Sequence, residues 1–452
     1  MRESPSPRSA PTQAPAPGHS LPLWQLLIHT AEAVAAVQKG RSLTEALEAC
    51  PSAARPGTQA LSFAVMRQLG LAQHLRGLLV PRKPAPWVDA LLTTTLALAC
   101  DASQYTDHTL VDQAVNACKR QAKPASGMVN AVMRRFLRER DTLIEQARQD
   151  PVAHWNHPKW WIQRLQNDWP EHWQALLTSN QTPAPLMLRV NTRRGTVADY
   201  QARLQAQGLS SQPFGMAGLL LDQAVPVHQL PGFAEGDVSV QDASAQQAAQ
   251  WLLQARDAQG QLLPALPSGA RVLDACSAPG GKTAHLLEAA DLSLLALDTD
   301  AQRLVRVQET LDRLGLSAQT QAVDAAQTAL WWDQTPLDAI VLDAPCSASG
   351  IVRRHPDVRW LRRATDIQPL ADIQDRLLDA LWPLLKPGGR LLYCTCSVFK
   401  AEGEHRIEAF LQRQPDALRG MAPGHLLPVV EYPGDAPLTG DGFYYALLHK
   451  PA

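Results

Sequence analysis

Two apolar runs in this chain each end in a thiol. "AIVLDAPC" closes on Cys346, and fifty residues later "RLLYCTC" carries Cys394 and Cys396. Short apolar runs bounded by turn signals read as buried strands, and groups at the carboxyl ends of parallel strands face the ligand crevice of an open α/β sheet. If the two strands are neighbours, about 5 Å apart, Cys346 and Cys396 meet over one pocket. Cys394 sits deeper on its strand and reads as core. The chain's seven cysteines, at 50, 100, 118, 276, 346, 394 and 396, are odd in number and thinly spread. That is no secreted disulfide framework, and the spacings lack the second ligand pair of a zinc site. The thiols are therefore packing or chemistry, and the chemistry open to a thiolate is nucleophilic attack.

A second constellation lies upstream. "VLDACSAPGGKTAHLLE" reads as a buried strand, a glycine turn and a helix. It is neither a dinucleotide fingerprint nor a phosphate-binding Walker loop. Gly280 and Gly281 permit close backbone approach to a ligand beside a helix N-terminus. Asp298 ends the next strand, at the spacing from Asp274 that suits ribose hydroxyls, and Asp324 ends the one after, where it can accept from an adenine amino group. A nucleoside without a diphosphate fits, with S-adenosylmethionine the leading candidate. A thiol beside a methyl donor suits carbon 5 of a pyrimidine: thiolate addition at carbon 6 makes carbon 5 nucleophilic, and elimination later releases the thiol. Lys282, Arg353 and Arg354 are the candidate cations to activate that thiol. Asp343 can hold the base's amino or N3 edge, or approach the cofactor. The five arginines of "SASGIVRRHPDVRWLRR" read as a phosphate clamp.

The elements that must position these groups follow from patterning. From residue 237 to 452 strands and helices alternate, including "LSLLALD", "QTQAVD" and a helix around Asp372 to Leu385, so we expect a doubly wound, mostly parallel α/β domain. Residues 21–149 repeat apolar positions at helical spacing. Their last helix, "SGMVNAVMRRFLRER", should be capped by Ser126, and Lys119 to Arg140 carry seven basic residues against Glu139 alone, a candidate RNA-phosphate face. Residues 150–236 form a small α/β linking module whose clustered tryptophans are packing anchors. His154 and His157 should bond locally. Residues 1–20, rich in Pro, Ser and Ala, read as a disordered tail.

Charge is balanced, with 42 Lys plus Arg against 43 Asp plus Glu, so nucleic-acid affinity must come from local patches. No apolar run reaches the ~20 residues of a membrane span, and we expect a cytoplasmic monomer without membrane contact.

"DACSAPGGKT", "LDTDAQRL", "LDAPCSASGIVRRHPD" and "YCTCSV" resemble the motifs of the Sun/Nop family of RNA cytosine-5 methyltransferases, and "GMVNAVMRRFLR" resembles the NusB-like RNA-binding domain. The resemblance covers nearly everything after residue 20, and that domain order is similar to members acting on 16S ribosomal RNA. It implies a Rossmann-like class I methyltransferase domain behind an all-α NusB-like domain. It also implies that Cys276, Ser277, Ala278, Pro279, Gly280, Gly281 and Lys282 form the S-adenosylmethionine loop, with Asp298, Asp324 and Asp343 as further contacts. By the same resemblance Cys396 is the nucleophile and Cys346 assists product release, with Asp343 beside them. The residues alone leave that choice open, because DNA cytosine methyltransferases use a Pro-Cys thiol. Ser277, Ser349 and Cys394 depart from the family pattern without removing a reacting group, and Cys394 introduces an expected side disulfide with Cys396. An RNA-binding assembly factor with an idle catalytic fold, or a transfer RNA substrate, are the competing readings.

Overall fold

The computed structural model describes residues 21–100, 105–429 and 440–451, so the expected tail lies outside the described residues. The chain divides into two compact units, Met1–Ala147 and Arg148–Ala452.

The first unit is helical: α1 (Leu23–Gln38), α2 (Leu43–Glu48), α3 (Arg55–Arg67), α4 (Leu69–Leu79), α5 (Pro86–Cys100), α6 (Asp107–Gln121), α7 (Ser126–Arg138) and α8 (Arg140–Ala147). Helix α5 is buried on every side from Val88 to Ala99 and mostly apolar, as suits a central helix. Helix α7 is amphipathic. Val129, Val132, Met133 and Phe136 face inward, while Arg134, Arg135 and Arg138 are exposed, as are Lys119, Arg120 and Lys123. Ser126 does not cap α7, contrary to expectation. A 3₁₀ turn at Lys123–Ala125 leads into the helix and Ser126 already has helical dihedrals, so its hydroxyl donates back to the Lys123 carbonyl at 2.8 Å.

The second unit opens with α9 (Pro151–Trp155), α10 (Lys159–Asp168) and α11 (Trp173–Ser179), followed by β1 (Met187–Val190), α12 (Val197–Ala206), β2 (Ser211–Phe214), β3 (Gly218–Leu221) and β4 (Val238–Val240). These strands make an antiparallel sheet in the order β2-β3-β1-β4. The tryptophans pack as anchors: Trp161 is fully buried beside Phe399, with Trp155, Trp160, Trp169 and Trp173 around them. His157 bonds locally, Nδ1 to the Trp155 carbonyl at 2.6 Å and Nε2 to Asn180 at 3.2 Å, and burial holds its imidazole well below the ordinary range.

The remainder runs α13 (Ala243–Leu253), β5 (Ala270–Asp274), α14 (Gly281–Ala289), β6 (Leu292–Asp298), α15 (Ala301–Leu314), β7 (Gln319–Ala322), β8 (Leu337–Asp343), α16 (Val358–Leu361), α17 (Ile367–Leu381), β9 (Leu385–Thr395), α18 (Glu404–Arg413), β10 (Leu418–Arg419), β11 (Gly424–Leu426) and β12 (Phe443–His449). The sheet order is β10-β12-β9-β8-β5-β6-β7, with β11 also on β12. Strands β9, β8, β5, β6 and β7 are parallel; β12 joins β9 antiparallel. One face of the sheet packs under α17 and α18 through Leu377, Leu381 and Phe410. The other packs under α13, α14 and α15 through Leu252, Leu286 and Val307. Helices on both faces explain why β8 is buried almost throughout and reads as an unbroken apolar run. Helix α17 starts five residues before its expected start, because Pro369 falls in its first turn, where no N–H is missed.

Candidate active site

The two thiol strands are neighbours. Asp343, the last residue of β8, lies opposite Cys394 of β9. Past the strand ends the backbones stay tied, with Ala344 N–H donating to the Cys394 carbonyl at 2.9 Å and Gly350 N–H to the Cys396 carbonyl at 2.9 Å. That brings Cys346 Sγ to 3.5 Å from Cys396 Sγ. Both cysteines are partly buried, whereas Cys394 is fully buried. The bond to Cys396 and burial together hold the Cys346 thiol well above its usual range, so it is protonated at rest. The sulfur beside Cys396 is thus Cys346. Cys394 donates instead to Asp343 Oδ1 at 3.6 Å, and burial pushes its thiol up.

Lys282, in the first turn of α14, donates to Asp343 Oδ2 at 2.6 Å. Its Nζ lies 5.3 Å from the centre of the Phe443 ring. Burial alone would lower this ammonium, but Asp343 and then the nearby sulfurs of Cys394 and Cys396 hold it raised and charged. Of the three cations considered for the thiol, only Lys282 is at the site. Arg354 donates to Asp441, Asp242 and the Pro185 carbonyl, and Arg353 to the Gly440 carbonyl at 2.8 Å.

The phosphate clamp expected after Cys346 is therefore not what these arginines build. Arg359 is fully buried and donates to the Asn156 and Asn180 carbonyls at 3.3 and 2.6 Å. Arg362 donates to the Ser347 carbonyl at 3.0 Å. Four of the five satisfy buried acceptors of the chain itself, which a count of charge in sequence does not reveal.

The glycine turn between β5 and α14 is held by its own backbone: Ser277 N–H donates to the Leu297 carbonyl and Gly280 N–H to the Ser277 carbonyl. Gly280 has φ +95°, and a Cβ there would approach Val307 Cα at 3.1 Å, so only glycine suits the position. Asp298 Oδ2 accepts from Ala278 N–H at 3.2 Å, while Arg303 braces the Ala278 carbonyl at 3.0 Å. Asp324 accepts from Ala326 N–H at 3.0 Å and from Arg376 at 2.8 Å. Asp274 accepts from the Thr283 hydroxyl at 2.6 Å, and burial pushes it up to about 6. The Cys276 thiol is pushed well above its ordinary range by burial and then by Asp343. Among the described residues, Ser277 Oγ and Asp274 Oδ1 are buried without a hydrogen-bond partner. Asp274, Asp298 and Asp343 end their parallel strands on one edge of the sheet, with Asp324 two residues past the end of β7.

Two groups went unread in the sequence. Arg189 of β1 reaches Gly281, and Glu402, six residues after Cys396, lies buried under the thiol loops. Nothing in local composition separates Glu402 from its partly exposed neighbour Glu404.

A five-stranded parallel sheet with an antiparallel β12 against β9, and a glycine turn and acids along the carboxyl edge, define a Rossmann-like methyltransferase architecture. A family model described as "16S rRNA methyltransferase RsmB/F" matches residues 262–449, and a "Methyltr_RsmF/B-like, ferredoxin-like domain" matches residues 157–228. The ribosomal RNA small subunit methyltransferase B of Vibrio cholerae is 41% identical over 431 residues, covering 92% of this chain and 94% of that protein. The protein of the same name from Xanthomonas campestris is 44% identical over 437 residues, covering 92% of this chain and 94% of the relative. The crystal structure of a methyltransferase homolog from Pyrococcus horikoshii superposes with a TM-score of 0.54 at 26% identity, covering 66% of this chain and 97% of that one. The chain belongs to the RsmB/F family of 16S rRNA methyltransferases.

Proposed function

We propose that the protein transfers a methyl group from S-adenosylmethionine to carbon 5 of a cytosine in 16S ribosomal RNA, through a covalent bond between Cys396 and carbon 6 of the base. The observation that carries this reading is the pair of thiols 3.5 Å apart beside the Lys282–Asp343 pair, at the carboxyl edge of the sheet. The loop fits the cofactor on two counts. The unpartnered Ser277 Oγ and Asp274 Oδ1 leave polar atoms to be satisfied, and Gly280 lets backbone approach closely. Residues 276–282 with Asp298, Asp324 and Asp343 would hold it. When bound, it supplies an electrophilic methyl group.

The chain's own residues do the rest. Lys282 places a positive charge near the Cys396 sulfur. The sulfur–carbon 6 bond raises electron density at carbon 5. Asp343, fixed by Lys282, is available to the base's amino or N3 edge. After transfer the carbon 5 proton passes to solvent water, its bonding pair forms the carbon 5–carbon 6 double bond, and the Cys396 sulfur leaves carbon 6 with the electrons of the bond that breaks. Cys346, which holds a proton next to Cys396, assists that release. Residues 21–149 would serve as the NusB-like RNA-binding domain, through the exposed arginines of α7 and the neighbouring lysines. Residues 150–236 would link it to the methyl-transfer domain, 237–452.

The test incubates the protein with 16S RNA, naked and in early small-subunit particles, and with methyl-labelled S-adenosylmethionine. Cys396→Ala should lose transfer by at least roughly 10⁴-fold, while Cys346→Ala should accumulate an RNA–protein adduct on a denaturing gel. Reversed behaviour refutes the thiol assignment. Binding of RNA without transfer by the unmutated protein refutes the reaction and returns the reading of an assembly factor.

A further inference from the structure

Cys346 and Cys396 stand on separate loops fifty residues apart in sequence; backbone bonds tie the segments on which they stand, and a side-chain tie joins the residues next to the two sulfurs as well. Beneath them lies Glu402, fully buried. Its carboxylate accepts from three donors: Ser347 N–H at 2.7 Å, the Ser347 hydroxyl, and the Ser397 hydroxyl at 2.6 Å. Ser347 follows Cys346, and Ser397 follows Cys396. One carboxylate thus ties the residue after each thiol.

Glu402 is itself anchored. Its carbonyl accepts from the Tyr393 hydroxyl at 2.9 Å and the Thr395 hydroxyl at 3.3 Å, both on β9, and its N–H donates to the Phe399 carbonyl at 3.0 Å. Around it the hydroxyls close a network. Ser349 and Ser397 lie 2.8 Å apart, Val398 N–H donates to Ser349, and Phe399 N–H donates to Ser397. Burial pushes the Glu402 carboxyl up while the bonds from Ser347 and Ser397 pull it down. The cost of burying this carboxyl is offset by the bonds it accepts, which hold it in one geometry.

We propose that Glu402 is a positioning residue that, through Ser347 and Ser397, sets the distance between the two thiols. It touches neither thiol nor base, and its effect on catalysis rests on the reaction proposed above. Its effect on thiol spacing does not. The two can therefore be tested separately.

The spacing is read in the full chain without RNA, from the rate at which diamide couples Cys346 to Cys396. In that step the two thiols give up two electrons and two protons to the diamide, and peptide mass mapping identifies the disulfide. Displacement of a reacting group by about 1 Å costs up to about 100-fold in rate, so Glu402→Ala should slow coupling by roughly 10-fold or more. In parallel, kcat for methyl transfer should fall by a similar factor, with KM for RNA changed less than about twofold, because no RNA contact is removed. Restoring one acceptor in Glu402→Gln should recover part of both. Should Glu402→Ala lack a cooperative thermal transition, Ser397→Ala, which deletes a single leg, replaces it and should slow coupling by roughly threefold. Coupling within twofold of the unmutated rate in whichever variant is folded overturns the proposal. If the unmutated protein couples its thiols yet methylates no RNA, the proposed reaction fails while the coupling rates still decide the role of Glu402.

Discussion

The small antiparallel sheet and helix α14, which follows the glycine turn, are joined by a buried ion pair, and removing half of it should be costly. Arg189 and Glu288 are 1% and 2% exposed. Their contact is bidentate, Nε to Oε2 at 2.8 Å and Nη2 to Oε1 at 2.9 Å, and Arg189 Nη1 also reaches Gln241 and the Gly281 carbonyl. Two charge-assisted bonds at about 1.5–3 kcal/mol each bracket a loss of about 3–6 kcal/mol. Leaving a buried carboxylate uncompensated gives about 3–5 kcal/mol. Arg189→Met should therefore destabilise this unit by about 4 kcal/mol, close to 1,000-fold in the ratio of folded to unfolded chains. The double variant Arg189→Met/Glu288→Leu removes both charges and should recover more than half, since an apolar pair replaces a buried ion pair at little cost. Urea unfolding followed by tryptophan fluorescence reports on this unit, which holds ten of the twelve tryptophans. A loss under 1 kcal/mol in Arg189→Met refutes the reasoning. So does a double variant as unstable as the two single changes summed.

Asp274 makes a pH-dependent prediction. Its folded value of about 6 lies above the unfolded value of about 3.9. The folded state thus binds more protons between those limits, and stability is full below about pH 4 and lost as pH rises to about 6. Asp274→Asn should be more stable than the unmutated chain by about 3 kcal/mol at pH 7.5, with the advantage gone at pH 4, as measured by urea unfolding at each pH. Arg359→Gln should cost roughly 2–3 kcal/mol in stability and leave the salt dependence of RNA binding unchanged. A phosphate contact would instead lower the slope of log K against log salt by about one.

The parallel sheet was legible because β5, β6 and β8 are short apolar runs spaced by helical patterns, and burial on both faces forces that pattern. The meeting of the two thiols was legible because carboxyl strand ends converge once β8 and β9 are neighbours. Strand order is another matter. Insertion of β12 beside β9 is fixed by pairings far apart in sequence, such as Tyr445 with Cys394. The arginines after Cys346 were misread for a related reason: their partners, Asn156, Asn180, Asp242 and Asp441, come from distant segments. Glu402 escaped notice because its role lies in the serines it joins, and only the fold brings all three together.

The place of β12 in the sheet also sets a timetable for synthesis. Residues 443–449 cover the outer edge of β9, and at about 5–20 residues per second they follow Cys394 by roughly 3–10 s. During that interval the nascent strand "RLLYCT" presents open N–H and C=O groups, with an adhesive edge and a thiol, to any neighbouring chain. The edge of the thiol-bearing strand is therefore covered late. A ribosome stalled between these segments would carry a sticky and still unfinished methyltransferase.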